Sequence, residues 1–106
     1  MRGFTSLSNF LPREVTMKGV TYQNRSVVAL SAQIGQRVEL IRDYDNEIDR
    51  NAIMIHLSGR EMGYIPRDVA QVLAPEIDAG ANLEATIVSL TKGKFPRVSV
   101  HIVQNL

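Results

Sequence analysis

The sequence predicts a mainly β fold of the α+β kind, a small curved OB-like or SH3-like barrel of about six strands with one broken helix covering an opening. Three observations predict it. Apolar side chains recur at period two in segment after segment, only one segment has helical spacing, and short Gly-containing turns separate the strands. The chain has 106 residues, 44% of them hydrophobic, which suits one domain with one modest core. The expected organisation is an N-terminal arm over residues 1–12 and a barrel domain over residues 13–106.

Met1 to Leu11 mixes Arg2, Phe4, Leu7, Phe10 and Leu11 with Ser6, Ser8 and Asn9. It lacks the continuous apolar segment and small-residue cleavage site of a secretory signal, and reads as a mobile arm or a short packed helix closed by Pro12. Val15 to Val20 is the first strand candidate. Val38 and Leu40 then alternate with Arg37 and Glu39, and Ile53, Ile55 and Leu57 alternate with Met54 and His56. Ser58-Gly59-Arg60 is a short Gly-containing turn, so Ala52 to Leu57 should fold back on Glu61 to Ile65 as a hairpin. From Pro66 to Ala79, Val69, Val72, Leu73 and Ile77 have helical spacing, with Pro66 at a first helical position and Gly80 as a stop. Pro75 lacks a backbone donor and disfavours helix at Ala74, so the helix should end near Leu73, with a second short turn from Pro75 to Asp78. Leu83 to Leu90 places Leu83, Ala85 and Ile87 on one side. A hairpin around Gly93, from Thr91 to Phe95, leads to a last strand in which Val98, Val100 and Ile102 alternate with Ser99 and His101.

Between two apolar strands lies the polar stretch from Arg42 to Ile53, with Asp43, Asp45, Asn46, Glu47, Asp49 and Asn51. A tight turn needs only about two to five residues. Asp and Asn bond their own nearby backbone, so this loop can be locked into one shape, and a locked loop can read a ligand.

Charge and composition narrow the function. The formal net charge is +1, which argues against capture of nucleic acid by bulk electrostatics. The charges are uneven, however. Residues 1–30 carry Arg2, Arg13, Lys18 and Arg25 against Glu14 alone, and residues 91–97 carry Lys92, Lys94 and Arg97 with no acid. There is no cysteine, which excludes disulfides and thiolate metal sites and fits a reducing cytoplasm. The longest apolar runs, such as Val27 to Leu30, are far too short to cross a bilayer.

Catalytic and metal chemistry find little support. Asp43, Asp45, Glu47 and Asp49 alternate like the start of a calcium loop, but Ile48 stands where an EF-hand needs Gly, and Met54 where it needs Glu. A looser Mg²⁺ site would lack the second carboxylate cluster of a nuclease centre. His56 and His101 lie on strand faces opposite the main apolar residues, without ligand or nucleophile spacing. The expectation is a binding module with no cofactor and no catalysis of its own.

Gly19-Val20-Thr21-Tyr22, Gly35 followed by Val38-Glu39-Leu40, Asn46-Glu47-Ile48-Asp49-Arg50-Asn51-Ala52-Ile53, and Met62-Gly63-Tyr64-Ile65-Pro66-Arg67 with Ala70 occur in that order. In this order and content the chain resembles the HIRAN domain family over roughly residues 14 to 103. The resemblance implies a modified OB-like barrel that grips single-stranded or terminal DNA, above all a free 3′ end. Some family members are fused to helicases or nucleases, so such a partner would come from another chain here.

The same resemblance assigns candidate roles. Tyr22 matches a tyrosine that contacts a terminal base, a contact worth about 1 to 3 kcal/mol when a base stacks; by itself it also reads as a tyrosine at the edge of the core. Asp49 matches an acid at the 3′-hydroxyl. A carboxylate accepts from a hydroxyl and repels a phosphate, although Asp49 could equally bond the loop backbone with Asn46 and Asn51. Arg67 matches a basic residue that meets a backbone phosphate beside a helix N-terminus. Phe95, beside Lys94, matches an aromatic of a single-strand groove; the alternative is a turn residue folded over the barrel mouth. Tyr44 and Tyr64 are further aromatic candidates. Ile48 stands where a well-characterised member has an aromatic, leaving an aliphatic wedge. Thr21 stands where that member has an arginine, a contact that Arg25 or Lys18 could replace. A protein-interaction module that kept the barrel and lost the DNA pocket is the competing reading.

Overall fold

The period-two segments become strands in a computed structural model that describes residues 6–105. They are β1 (Arg13–Thr16), β2 (Arg37–Arg42), β3 (Ile53–Leu57), β4 (Arg60–Tyr64), β5 (Leu83–Thr91) and β6 (Arg97–Gln104), with helices α1 (Leu7–Phe10), α2 (Arg25–Leu30) and α3 (Arg67–Asp78). The sheet runs β1-β6-β5-β2-β3-β4, and every neighbouring pair is antiparallel. It curls far enough for its outer strands to meet. Just beyond β1, the Lys18 N–H donates to Tyr64 O at 2.8 Å, and the Tyr64 N–H donates to Lys18 O at 2.9 Å. A Cβ on Gly63 would lie only 2.9 Å from Lys18 O, so the two backbones approach this closely because residue 63 is glycine. The result is an OB-like half-barrel fastened at one point.

Alternation puts Ile53, Ile55, Ile87, Val98, Val100 and Ile102 inside, where they are fully buried with Met62 and Leu73. The β3–β4 turn has two residues, Ser58 and Gly59, at φ 52° and 79°. Positive φ at both central positions matches the twist of the strands, and Arg60 already belongs to β4. The β5–β6 hairpin closes with Thr91 opposite Arg97.

Helix α3 lies over the opening and buries Val69, Ala70, Leu73 and Ala74. It is unbroken, contrary to the expected end near Leu73. Pro75 and Gln71, the residue whose carbonyl Pro75 cannot bond, are both exposed, so water can serve that carbonyl while the buried face holds the helix together. Pro66 is the N-cap rather than the first helical residue, with its carbonyl accepting from Ala70 N at 2.9 Å. At the other end, Gly80 N donates to Ile77 O and Ala81 N to Glu76 O, with Gly80 at φ 97°. This Schellman pattern explains the glycine.

Two further elements differ from the sequence reading. The first strand ends at Thr16 rather than Val20, with only Lys18 bridged beyond it. The chain then forms α2, unforeseen because it is six residues long and Val27-Val28 are poor helix formers. Val28 and Ala29 of α2 are buried. In the arm, Leu7 of α1 and Leu11 just after it are buried in the core, so of the two expected forms residues 6–12 take the packed short helix; residues 1–5 of the arm lie outside the described residues. No helix among the described residues is long and apolar enough to cross a membrane.

Candidate functional site

β2 carries Val38, Leu40 and Arg42 on one face, which places a guanidinium where an apolar side chain would otherwise go. The Arg42 side chain is 7% exposed and is fully occupied. Its Nη1 donates to Ala52 O at 2.6 Å, its Nη2 to Arg50 O at 2.9 Å, and its Nε to Asp78 Oδ1 at 3.0 Å. Arg42 therefore staples the far end of the 43–52 loop to the C-terminal turn of α3. Tyr44 donates its hydroxyl to the same Asp78 oxygen at 2.7 Å. That hydroxyl, with Arg42 second, holds the Asp78 carboxyl below the usual range, and Asp78 in turn raises Tyr44. Tyr44 thus braces the loop.

Inside the loop the Asn and Asp side chains replace missing backbone bonds. Asn46 Oδ1 accepts from Ile48 N at 3.0 Å and Asp49 N at 2.8 Å, and Asp49 Oδ1 accepts from Asn51 N at 2.9 Å. Asn51 enters through its backbone. Asp43 Oδ2 accepts from the Tyr64 hydroxyl at 2.8 Å and from Asn46 Nδ2 at 3.3 Å. Desolvation, then that bond to Asp43, pushes the Tyr64 phenol up to about 12.

Asp49, Ile48 and Arg67 come together directly. Arg67 Nη2 donates to Ile48 O at 3.1 Å, and its Nε lies 3.9 Å from Asp49 Oδ2. The Asp49 side chain is 20% exposed and that of Arg67 66%. One carboxylate oxygen thus holds the loop, while the other faces a cation at the start of α3. The Ile48 side chain is 84% exposed and stands free beside them.

Tyr22 reaches this group only through intermediaries. It is 58% exposed in the turn between Lys18 and α2. The Arg25 guanidinium sits 5.0 Å from its ring centre and 4.9 Å from that of Tyr64. Tyr64 is in turn bonded to Asp43, where the polar loop begins. Arg25 also pairs with Glu61 at 2.9 Å. Its charge is thus paired within the domain. Lys18 is exposed.

Among the described residues, no side-chain hydrogen bond, ion pair or cation–π contact joins Phe95 or Lys94 to these residues; their one such contact is with each other. Phe95 is 71% exposed, with Lys94 Nζ 5.7 Å from its ring centre, so it is not folded over the barrel mouth. A shallow groove of about 280 Å³ separates the two regions, with Lys18 to Thr21 on one wall and Pro96 and Arg97 on the other. Sequence reasoning missed Arg42 and the internal role of Arg25. The first had a signal in the Val38-Leu40-Arg42 alternation; the second had none, because α2 itself was not legible.

Comparison with known proteins agrees with this architecture. A protein from Lactobacillus plantarum of known crystal structure superposes with TM-score 0.77 at 27% identity, over 86% of this chain and 89% of that one. The HIRAN domain of human HLTF superposes with TM-score 0.75 at 22% identity, over 87% of this chain and 73% of that one. In sequence, the chain is 38% identical over 73 residues to the Fanconi-associated nuclease 1 homolog of Arabidopsis thaliana, and 31% identical over 78 residues to that of Oryza sativa subsp. japonica. These matches take in 67% and 69% of this chain but only 8% of each relative. The HIRAN domain description matches residues 13–106. With the half-barrel and most of its length accounted for, this chain belongs to the HIRAN domain family, a family of nucleic-acid-binding modules.

Proposed function

We propose that this HIRAN domain binds single-stranded DNA at a free 3′ end and serves DNA repair or processing, with any helicase or nuclease activity supplied by another chain or segment. The observation that carries the reading is the Asp49–Arg67 pair. Asp49 Oδ2 is left free by the loop to accept from a hydroxyl, and the exposed Arg67 beside it can take a backbone phosphate. Ile48 offers an apolar wedge next to them, and Tyr22 and Phe95 offer rings to neighbouring bases. The domain itself contributes binding rather than catalysis. The repair context is supported by similarity to the two Fanconi-associated nuclease 1 homologs. A chain without cysteine is suited to a reducing cytoplasm.

Fluorescence anisotropy with short single strands carrying a free or a phosphorylated 3′ end tests the reading. The free end should bind tighter. Affinity should fall with salt along a shallow slope corresponding to about two to four phosphates, since stacking supplies the rest. Equal binding of blunt duplex, or a steep slope, would refute it. One observation favours the competing protein-interaction reading: Val27, Leu30 and Ile34 are exposed on and just after α2. Absence of single-strand binding would leave that reading in place.

A further inference from the structure

Arg25 is the least expected residue of this surface. Its side chain is 12% exposed, although it is charged and lies on a six-residue helix. Nε pairs with Glu61 at 2.9 Å and Nη1 donates to Gly19 O at 3.1 Å. The φ of 71° at residue 19 favours glycine, and a Cβ there would lie 2.7 Å from Nη1, so any other residue would also displace the guanidinium. The rings of Tyr22 and Tyr64 lie 5.0 Å and 4.9 Å from the guanidinium carbon. Every fixed neighbour of Tyr22 in this stack is therefore tied down. Tyr64 is bonded to Asp43, and Arg25 to Glu61 and Gly19.

On the reading that the domain binds a DNA end, we infer that Arg25 is the positioning residue that fixes Tyr22 as a stacking platform, and that this platform selects a purine as the end base. Two effects act in the same direction. A guanidinium that stacks on one side of Tyr22 holds the ring before DNA arrives, so less side-chain freedom is lost on binding. The cation also draws the ring's electron density toward itself. The solvent side of Tyr22 is left electron-poor, and stacks best with a large, electron-rich base. Guanine fits that description best, the pyrimidines least. A preference of this kind arises from stacking strength and needs no hydrogen bonds to base edges.

The test uses three single strands that differ only in the 3′-terminal nucleotide: guanine, thymine or abasic. With the native protein, guanine should bind about fivefold tighter than thymine and at least about tenfold tighter than the abasic end, within the range of one base–aromatic stack. Arg25→Gln should compress these differences to about twofold or less, with abasic-strand affinity nearly unchanged. Arg25→Gln combined with Glu61→Gln leaves no unpaired carboxylate and should behave alike. Loss of binding to all three strands in equal proportion in both variants would assign Arg25 to folding alone and overturn the inference. So would a native protein indifferent to the end base, or a purine preference that survives in Arg25→Gln. A 3′-end preference without a base preference would sink this inference and spare the proposed function. No binding to any single strand would sink both.

Discussion

At Asp49 the loop bond and the free acceptor belong to different oxygens of one side chain. Asparagine keeps an oxygen for Asn51 N while removing the charge, so Asp49→Asn separates the two roles. Preference for a free 3′-hydroxyl over a 3′-phosphate should fall by about 1 to 3 kcal/mol, with melting temperature almost unchanged. Anisotropy on both ends checks it, and a full loss of stability would make Asp49 a loop-ordering residue alone. Tyr64 gives a pH signature. Its phenol is raised from an ordinary 10.0 to about 12, so the folded state keeps the proton longer than the unfolded chain does. The stability it contributes is complete below pH 10 and is lost as pH rises from about 10 to 12. Melting temperature should drop through that window, and drop less in Tyr64→Phe. At this scale Asp49 and Arg67 stand out as candidates through the family resemblance, and Phe95 also through its place among basic residues; the structure puts Asp49 beside Arg67 and leaves Phe95 exposed. Arg25 was not legible, because its burial depends on a turn and a helix that periodicity does not reveal.

Among the elements, the strands and hairpins could be read because alternation and turn chemistry are local properties. Helix α3 was half read. The local rule against proline was outweighed by the apolar stripe of Val69, Ala70, Leu73 and Ala74, which continues packing past the missing bond. Pro75→Ala restores a donor for the Gln71 carbonyl at an exposed position. It should therefore stabilise the domain by about 1 to 3 kcal/mol, measured by denaturant unfolding. A destabilised variant would show that the proline relieves strain at the Schellman turn that follows. The polar loop was legible as ordered, but its anchor was not. Arg42 holds it from across the chain through Asp78, and such a partner cannot be found from spacing.

For the whole molecule, curvature was foreseen from the number of short strands and the single covering helix, whereas the point of closure was not. It depends on two residues remote in sequence and on a glycine whose missing side chain leaves no periodic trace. That glycine has a consequence for binding. Lys18 leads directly into the turn that presents Tyr22, and Tyr64 leads through Ile65 and Pro66 to Arg67. The Lys18–Tyr64 clasp is thus a short backbone route between the ring proposed to meet a base and the cation proposed to meet a phosphate, and Gly63 sets how tightly it shuts. A single methyl group there acts as a wedge. Gly63→Ala should cost about 1 to 3 kcal/mol in unfolding experiments, as overpacking does elsewhere. It should also weaken binding of a strand that spans both residues more than binding of a single 3′-terminal nucleotide. Equal losses for the two ligands would mean that the spacing between ring and cation is held by the rest of the barrel, and that the clasp serves stability alone.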